Sequence, residues 1–276
     1  MYKIVSKKEL APKIKHIEIE APRLAVKAKP GQFVIIRVNE EGERFPITVT
    51  DTNANKGTIK IAFNEVGKSS KMLGNLNEGE NILNVVGPLG KPSEISKFGT
   101  VICFGGGVMV PGIHFLARAL RDAGNEIIGV VGARNKDLLI FVNEMKEVCS
   151  KVYISTDDGS EGYKGLEFIK DEILDKIKAD RVVAWSVAEV TMQKISEITK
   201  PYGIPTMVLL SSIMVDGTGM CGCCRAEVKG ATKFACVDGP EFDGHEVDWE
   251  LLTSRKRMYL PEERLAALSY EGFSKQ

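Results

Sequence analysis

The stretch TVICFGGGVMVPGIHFLARALRDAG, residues 100–124, determines the fold class of the second half of the chain. TVICF predicts a buried strand, and PGIHFLARALRDAG predicts a helix. Between them lie Gly105, Gly106 and Gly107. A glycine run that ends a strand and opens a helix is what a dinucleotide site requires, because the backbone must approach the phosphates closely. We therefore predict cofactor contacts at these three glycines.

The same unit repeats downstream of this stretch. Predicted strands EIIGVVGA, KVYIST, RVVAWS and TMVLL alternate with predicted helices LLIFVNEMKEVC, LEFIKDEILDKIKA and EVTMQKISEITKPYG. Regular alternation of this kind predicts a doubly wound parallel sheet with helices on both faces. We assign this nucleotide-binding α/β domain to residues 98–210.

Upstream, residues 1–97 have a different character. Short alternating or β-branched segments (IKHIEIEAP, GQFVIIRV, ERFPITVTD, TIKIAFNEV and ENILNVVGPLG) are separated by Gly, Asn and Asp. This pattern predicts an antiparallel β-barrel. One helical segment, KSSKMLGNL, interrupts it.

Beyond the α/β domain the chain reads VDGTGMCGCCRAEVKGATKFAC, residues 215–236. Asp216, Cys221, Cys224 and Cys236 have the spacing of a plant-type [2Fe–2S] ligand loop, with aspartate in place of the first cysteine. A carboxylate keeps the single negative charge of a thiolate. The far ligand follows a hairpin that is predicted to turn at Lys229 and Gly230. We assign residues 211–248 to a small cluster domain and residues 249–276 to a tail that contacts a partner.

Two alternatives to this ligand set remain open. The three cysteines could form a structural zinc site with a fourth ligand. Alternatively, Cys223 could serve as a ligand and leave Asp216 unused. Because Cys223 and Cys224 are neighbours, their side chains point in opposite directions in an extended segment. The C-x2-C pair, Cys221 and Cys224, is expected to converge on one iron.

Composition excludes several other classes of function. The chain has 276 residues and a net charge of zero, so no basic footprint for nucleic acid is expected. No apolar run has the length of a membrane span. Four of the six cysteines lie within sixteen residues, unlike a disulfide framework, and a cytoplasmic location is expected. No catalytic triad or carboxylate pair is evident, so no catalytic side chain is assigned.

Several motifs together resemble the ferredoxin–NADP reductase superfamily. They are ERFPITVTD, NEVGKSSKML, GPLGKPSEI, GARNKDLL, STDDGS, IMVDGTGMCGCCR and FACVDGPEFDGH. Within that superfamily the chain is similar to electron-transfer subunits of dihydroorotate dehydrogenases. It is more similar to small subunits of NADH-dependent reduced ferredoxin:NADP oxidoreductases, which also have the aspartate at the first cluster position.

The resemblance implies FAD in the barrel and assigns residues to it. Arg44, Pro46, Ile47 and Thr48 would form the flavin signature, in which an arginine holds the diphosphate and a hydroxyl reaches the ring. Gly67, Ser69 and Ser70 would offer N–H donors to the diphosphate from a helix N-terminus. In the α/β domain the residues retained for a nucleotide are Arg134, Asp157 and Asp158.

The nucleotide domain also departs from the superfamily pattern. Met109, Pro111 and Gly112 stand where relatives continue with a further glycine and an Ala-Pro pair. Residues 186–190, SVAEV, replace a Gly-Pro followed by methionines. Side chains at Met109 and Glu189 are expected to fill space that the nicotinamide cofactor needs. NAD(H) is therefore a possible cofactor only, and NADH is expected to reduce this FAD slowly.

These patterns predict an oxidoreductase subunit that passes electrons between FAD and a [2Fe–2S] cluster. By resemblance, its partner would be a larger subunit with flavin and iron–sulfur clusters. That partner would bind NADP(H) and ferredoxin, and the complex could be electron-bifurcating. Two alternatives are a dihydroorotate dehydrogenase electron-transfer subunit, which Asp216 disfavours, and a redox sensor without turnover.

Overall fold

The computed structural model describes residues 1–273 of the chain. They form two seven-stranded sheets and one two-stranded hairpin. Within these residues, none of the helices combines the length and the apolar character needed to cross a membrane.

The first sheet closes almost completely on itself. Its strand order is β6-β1-β2-β5-β4-β3-β7, and every neighbouring pair is antiparallel. The two edge strands, β6 and β7, follow each other directly in the chain. Leu83, the residue between them, donates its N–H to the carbonyl of Val38, which follows β3. The predicted antiparallel barrel is thus confirmed. The elements are β1 Tyr2–Ala11, β2 Ile14–Glu20, α1 Pro22–Lys27, β3 Phe33–Arg37, β4 Phe45–Asn53, β5 Thr58–Asn64, α2 Lys68–Asn75, β6 Asn81–Ile82 and β7 Asn84–Leu89.

Strand alternation explains the interior of the barrel. Ile17 and Ile19 of β2 and Ile59 and Ile61 of β5 are almost completely buried, while the residues between them are more exposed. Successive side chains on a strand point to opposite faces, so these isoleucines line the core.

The second sheet is parallel from β11 through β13, in the order β11-β10-β9-β8-β12-β13-β16. The predicted doubly wound sheet is confirmed, with two strands added, the short β11 at one edge and β16 at the other. Strand β16 comes from the chain beyond the cluster loop and pairs antiparallel with β13. The elements are β8 Thr100–Gly106, α3 Val110–Asp122, β9 Glu126–Ala133, α4 Val142–Val148, β10 Lys151–Thr156, β11 Tyr163–Lys164, β12 Arg181–Trp185, α5 Glu189–Thr199, β13 Thr206–Leu209 and β16 Glu241–Asp243.

Two predicted helices are shorter than expected. The segment LLIFVNEMKEVC contributes only α4, because Phe141 adopts a left-handed conformation (φ 58°) directly before it. The segment LEFIKDEILDKIKA forms a six-residue π-helix at Ile169–Leu174, in which the N–H of Asp175 donates to the carbonyl of Lys170. The wider turn allows Ile169, Ile173 and Leu174 all to be buried.

The cluster segment contains the predicted hairpin. Lys229 and Gly230 both have positive φ angles (55° and 69°), as a tight two-residue turn requires. The strands are β14 Arg225–Val228 and β15 Ala231–Phe234, and the tail forms α6 Trp249–Lys256 and α7 Leu260–Phe273. The last three residues of the predicted tail lie outside the described range.

Candidate functional site

A cavity of about 350 Å³ lies between the barrel and the α/β domain. Strand β4 supplies one wall, because Ile47 and Val49 face the barrel core and Thr48 and Thr50 face the other way. Of the predicted flavin residues, the cavity is lined by Pro46, Ile47, Thr48 and Ser70.

The two domains approach closely at this cavity. A Cβ atom at Gly112 would lie 3.2 Å from the ring of Trp185 and 3.5 Å from the methyl group of Thr48. Gly112 therefore lets the first turn of α3 rest against β4. A larger residue here would push the barrel and the α/β domain apart.

The remaining predicted flavin residues lie beyond the lining of the cavity. The hydroxyl of Ser70 accepts the N–H of Gly67 at 3.0 Å and so caps α2. The hydroxyl of Ser69 donates to Glu43 at 3.4 Å, which brings exposed Arg44 towards the same helix end. A Cβ atom at Gly67 would meet nothing within 4 Å. The backbone at this helix N-terminus is therefore open to an anionic group.

A second cavity, of about 450 Å³, lies where β8, β9, β10 and β12 end at their carboxyl edges. This is where open α/β sheets bind nucleotides. Of the predicted nucleotide residues, Gly106, Gly107, Arg134 and Asp157 line it.

Two predicted nucleotide residues lie elsewhere. Gly105 packs against α3, since a Cβ atom there would lie 2.9 Å from the Cα of Val110. The carboxylate of Asp158 accepts the N–H of Ser160 at 2.9 Å, and hydrogen bonding to Ser160 lowers the pKa of Asp158. Asp158 thus stabilises its own loop.

Met109 and Glu189 do not line the nucleotide cavity, whereas Ser186, Val187 and Ala188 of the substituted segment do. Met109 lines the 350 Å³ cavity instead. Glu189 forms an ion pair with Lys256 of α6, which also donates to the carbonyl of Val187 at 3.2 Å. Neither position could be placed from sequence, because the partners are remote in the chain. The two cavities adjoin, and residues lining both are Asn64, Val66, Val108 and Val187.

The chain passes directly from the first cavity to the cluster loop. Leu210, Ser211, Ser212 and Met214 line the cavity, and Asp216 follows two residues later. Sequence reasoning missed these lining residues. Their position between the last parallel strand and the cluster motif could have indicated that they line the cavity.

The cluster loop follows a tight course, which three glycines allow. Gly217, Gly219 and Gly222 all have left-handed φ angles, of 74°, 88° and 66°. A Cβ atom at Gly217 would lie 2.9 Å from side-chain carbons of Ile35 and Leu89. The start of the loop is therefore pressed against the barrel.

Two of the predicted ligands form a close pair. The Sγ atoms of Cys224 and Cys236 are 3.2 Å apart, both residues are buried, and neither forms a disulfide. Burial and the hydrogen bond with Cys224 raise the pKa of Cys236 to about 12. Bound metal cations favour the thiolate form that such ligands need. This thiol pair fits one half of an iron–sulfur site.

The other two predicted ligands are arranged differently. The Asp216 carboxylate accepts the N–H groups of Thr218 (2.6 Å) and Cys221 (2.7 Å), and these bonds lower its pKa. Cys221 is exposed and its thiol contacts that of Cys223. Within residues 1–273, no three Cys, His, Asp or Glu side chains converge on a metal position. The expected pairing of Cys221 with Cys224 is wrong, because the hairpin carries Cys236 to Cys224 instead.

Comparison with known proteins identifies the family. Residues 211–248 match the iron–sulfur cluster binding domain of dihydroorotate dehydrogenase B. The chain is 46% identical to a dihydroorotate dehydrogenase B (NAD(+)) electron transfer subunit homolog from Thermotoga maritima, covering 99% of this chain and 95% of that one. The chain belongs to the family of dihydroorotate dehydrogenase B electron-transfer subunits and their homologues.

Two solved structures extend the comparison. A chain of the NADH-dependent reduced ferredoxin–NADP oxidoreductase, an enzyme of flavin-based electron bifurcation, is 43% identical with a TM-score of 0.91. That match covers 99% of this chain and 98% of the other. Phthalate dioxygenase reductase is 18% identical with a TM-score of 0.58, covering 82% and 85% of the two chains, and shares the fold.

A third cavity, polar and about 300 Å³ in volume, lies between the barrel and helices α3 and α4. His16 and His114 line it, and both rings pack edge-on against Phe141. Burial, reinforced by the positive charge of Lys60, lowers the pKa of His16 to about 4. The imidazole is therefore neutral at pH 7.

The His16 pKa predicts an acid-dependent loss of stability. The unfolded chain binds a proton at His16 near pH 6.5, whereas the folded chain does so only near pH 4. The contribution of neutral His16 to the free energy of unfolding is therefore complete above pH 6.5 and is lost as the pH falls from 6.5 to 4. This contribution amounts to about 3 kcal/mol. Chemical denaturation at pH 7, 5.5 and 4 measures it. The His16→Gln variant should have a flatter profile than the wild type, and parallel profiles would contradict the assignment.

The cluster ligands give a second prediction. Asp216→Ala should lose or destabilise the cluster. Asp216→Cys should retain a [2Fe–2S] centre, because a cysteine thiolate carries the same single negative charge as the native carboxylate. Iron and sulfide content and the visible spectrum are the measurements. Cys223→Ser is the matched control and should keep its cluster. An unchanged cluster in Asp216→Ala would show that another group is the fourth ligand.

Proposed function

We propose that this chain holds FAD in the 350 Å³ cavity and a [2Fe–2S] cluster on Asp216, Cys221, Cys224 and Cys236, and transfers electrons between them. One observation carries the proposal. The segment 210–214 walls the cavity, and the cluster loop begins two residues later. The two cofactor sites are therefore neighbours on one continuous stretch of backbone.

The residues around the cavity suit a flavin. Its lining is mostly apolar, as the isoalloxazine ring requires, with the hydroxyls of Thr48 and Ser70 among the few polar groups. Exposed Arg44 and the open helix end at Gly67 and Ser69 would hold the diphosphate. Holding the ring between two domains excludes water from its faces.

We further propose that the 450 Å³ cavity accepts a nicotinamide dinucleotide. Gly106 and Gly107 let the phosphates approach the backbone, and Arg134 offers a positive charge to them. Val108 and Val187 line both cavities, so the nicotinamide would meet the flavin there. Flavins exchange hydride with nicotinamide cofactors, and iron–sulfur clusters carry single electrons.

A partner protein is expected at the cluster loop. Val215, Met220 and Val237 are exposed apolar side chains in the cluster segment, and Met220 is 88% exposed. Exposed apolar groups clustered near a redox centre favour a docking surface. We propose a larger flavin and iron–sulfur subunit as the partner, with ferredoxin and NADP(H) used by that subunit. The bifurcating relative at 43% identity supports this assembly.

The six cysteines, none of which forms a disulfide, fit a reducing compartment, so we propose a cytoplasmic location.

A second candidate is electron transfer to a dihydroorotate dehydrogenase. The match of residues 211–248 to the corresponding cluster domain favours it. A redox sensor without turnover is the third candidate. Co-purification separates these possibilities, because the first candidate requires a large flavin and iron–sulfur partner and the second requires a dihydroorotate dehydrogenase.

Arg44 provides a test of flavin binding. Arg44→Ala removes a charge-assisted contact of about 1.5–3 kcal/mol, so FAD affinity should fall by roughly ten- to a hundredfold. Titration of the apoprotein with FAD, followed by flavin fluorescence, measures the dissociation constant. Arg23→Ala, an exposed arginine on α1, is the control. Equal affinities in both variants would remove Arg44 from the flavin site.

Arg134 provides a test of nucleotide binding. Because its guanidinium lines the 450 Å³ cavity, Arg134→Ala should raise the dissociation constant for NADH about tenfold or more. Asp158→Ala is the control, since the Asp158 carboxylate bonds to Ser160 of its own loop and Asp158 does not line the cavity. Stopped-flow bleaching of the flavin across NADH concentrations measures the affinity and the rate. Bleaching without saturation in the wild type would contradict a specific nucleotide site.

A further inference from the structure

The polar cavity beside His16 has no role in the function proposed so far. It lies against the outer face of the barrel, beside α3 and α4. Its lining is rich in ionisable groups, and two of them, Lys8 and Glu144, are exposed to solvent. The residues lining it are Ser6, Lys8, Leu10, His16, Ile17, Glu18, Thr50, Asp51, Lys60, His114, Phe141 and Glu144.

One residue connects this polar cavity to the flavin cavity. Thr50 is buried, lines both cavities, and places its Oγ1 atom 3.2 Å from the Nε2 atom of His16. The two residues belong to β4 and β2, with β5 between them. Ala62 of β5 is paired with His16, and β4 has an irregularity at Thr50. The small side chain of Ala62 leaves room for the hydrogen bond to cross an intervening strand.

We propose that Thr50 and His16 form a proton route between the flavin cavity and the polar cavity. The inference rests on the proposed function. A hydride consists of one proton and two electrons, and an iron–sulfur cluster accepts electrons singly without a proton. For every hydride that enters from a nicotinamide dinucleotide and leaves as two electrons through the cluster, one proton must therefore leave the flavin cavity.

The two side chains can perform this transfer by two proton shifts, after which His16 carries its proton on Nε2 and must return to the Nδ1-protonated tautomer before the next transfer. The Thr50 hydroxyl accepts a proton from the cavity and passes its own proton to Nε2 of His16. His16 then releases a proton from Nδ1 to water or a carboxylate of the polar cavity. Burial and Lys60 lower the pKa of His16, so the doubly protonated ring is short-lived and passes its proton on. His16 acts through Thr50 and is a positioning residue in this route.

The charged surroundings favour release on the far side. Asp51 is paired with Arg118 and with Lys60, at 3.6 Å, and Glu18 accepts the Thr58 hydroxyl. Glu144 is exposed to solvent. The groups facing His16 come from every surrounding element: Lys8 of β1, Glu18 of β2, Asp51 of β4, Lys60 of β5, His114 of α3 and Glu144 of α4.

Two other hydroxyls of the flavin cavity, those of Ser70 and Ser212, offer poorer exits. The Ser70 hydroxyl is bonded to the Gly67 backbone at the start of α2. The Ser212 hydroxyl is buried and has no hydrogen-bond partner among the described residues. Thr50 is the lining residue whose hydroxyl is bonded to a titratable side chain of a second cavity.

Proton release from the holoprotein tests the route. The flavin is reduced by light with a deazaflavin, which requires no nicotinamide, and then mixed with ferricyanide. A pH-indicator dye follows proton release while absorbance follows flavin oxidation. His16→Ala and Thr50→Val should release protons at least tenfold more slowly than the wild type. Added imidazole should restore the rate in His16→Ala, because the cavity has room for it.

His114→Asn is the matched control, since His114 lines the same cavity and contacts Phe141 but not Thr50. It should release protons at the wild-type rate. In the apoprotein, nitrogen NMR should show the His16 Nε2 resonance shifted by Thr50→Val. FAD affinity should change less than twofold in His16→Ala and His114→Asn, neither of which lines the flavin cavity.

Wild-type release rates in both His16→Ala and Thr50→Val would overturn the proposal. So would a slow His16→Ala variant that imidazole does not rescue, because that result indicates a structural role. If the proposed function itself is wrong, the wild-type protein will not retain FAD. That result is seen before any proton measurement and is therefore distinct from failure of the proton route.

Discussion

The segment 210–216 constrains the whole molecule. Within a few residues it leaves the buried parallel strand β13, lines the proposed flavin cavity and begins the cluster loop. Gly217 makes this possible by turning in a left-handed conformation against Ile35 and Leu89 of the barrel. The cluster loop therefore contacts the barrel and the α/β domain at once. Movement of either domain would change the distance between the proposed cofactor sites.

A buried carboxylate reinforces this arrangement. Glu241 of β16 accepts hydrogen bonds from the hydroxyl of Ser93 (2.9 Å) and the indole N–H of Trp185 (3.2 Å). Burial raises the pKa of Glu241. Burying a polar group costs free energy unless its hydrogen bonds are made. The two bonds of Glu241 therefore hold β16 against Trp185 of the sheet and against Ser93 of the segment that follows the barrel.

The parts of the fold encoded by local pattern could be predicted, and those that depend on remote contacts could not. Strand alternation predicted the barrel, the strand–helix repeat predicted the parallel sheet, and Lys229 and Gly230 predicted the hairpin. The addition of β16 to the sheet and the turn of Glu189 towards Lys256 each join distant segments. Likewise, the bond between Thr50 and His16 crosses a strand and has no signature in the sequence.

Electron transfer between the two cofactors within one chain is the central claim. The most direct test is anaerobic reduction of the purified, cofactor-loaded chain with limiting reductant, monitored by flavin absorbance and by electron paramagnetic resonance at low temperature. The account predicts one flavin and two irons per chain, with flavin bleaching accompanied by the signal of a reduced [2Fe–2S] centre. Bound zinc in place of iron, or a flavin that bleaches while the cluster stays oxidised at every potential tested, would contradict it.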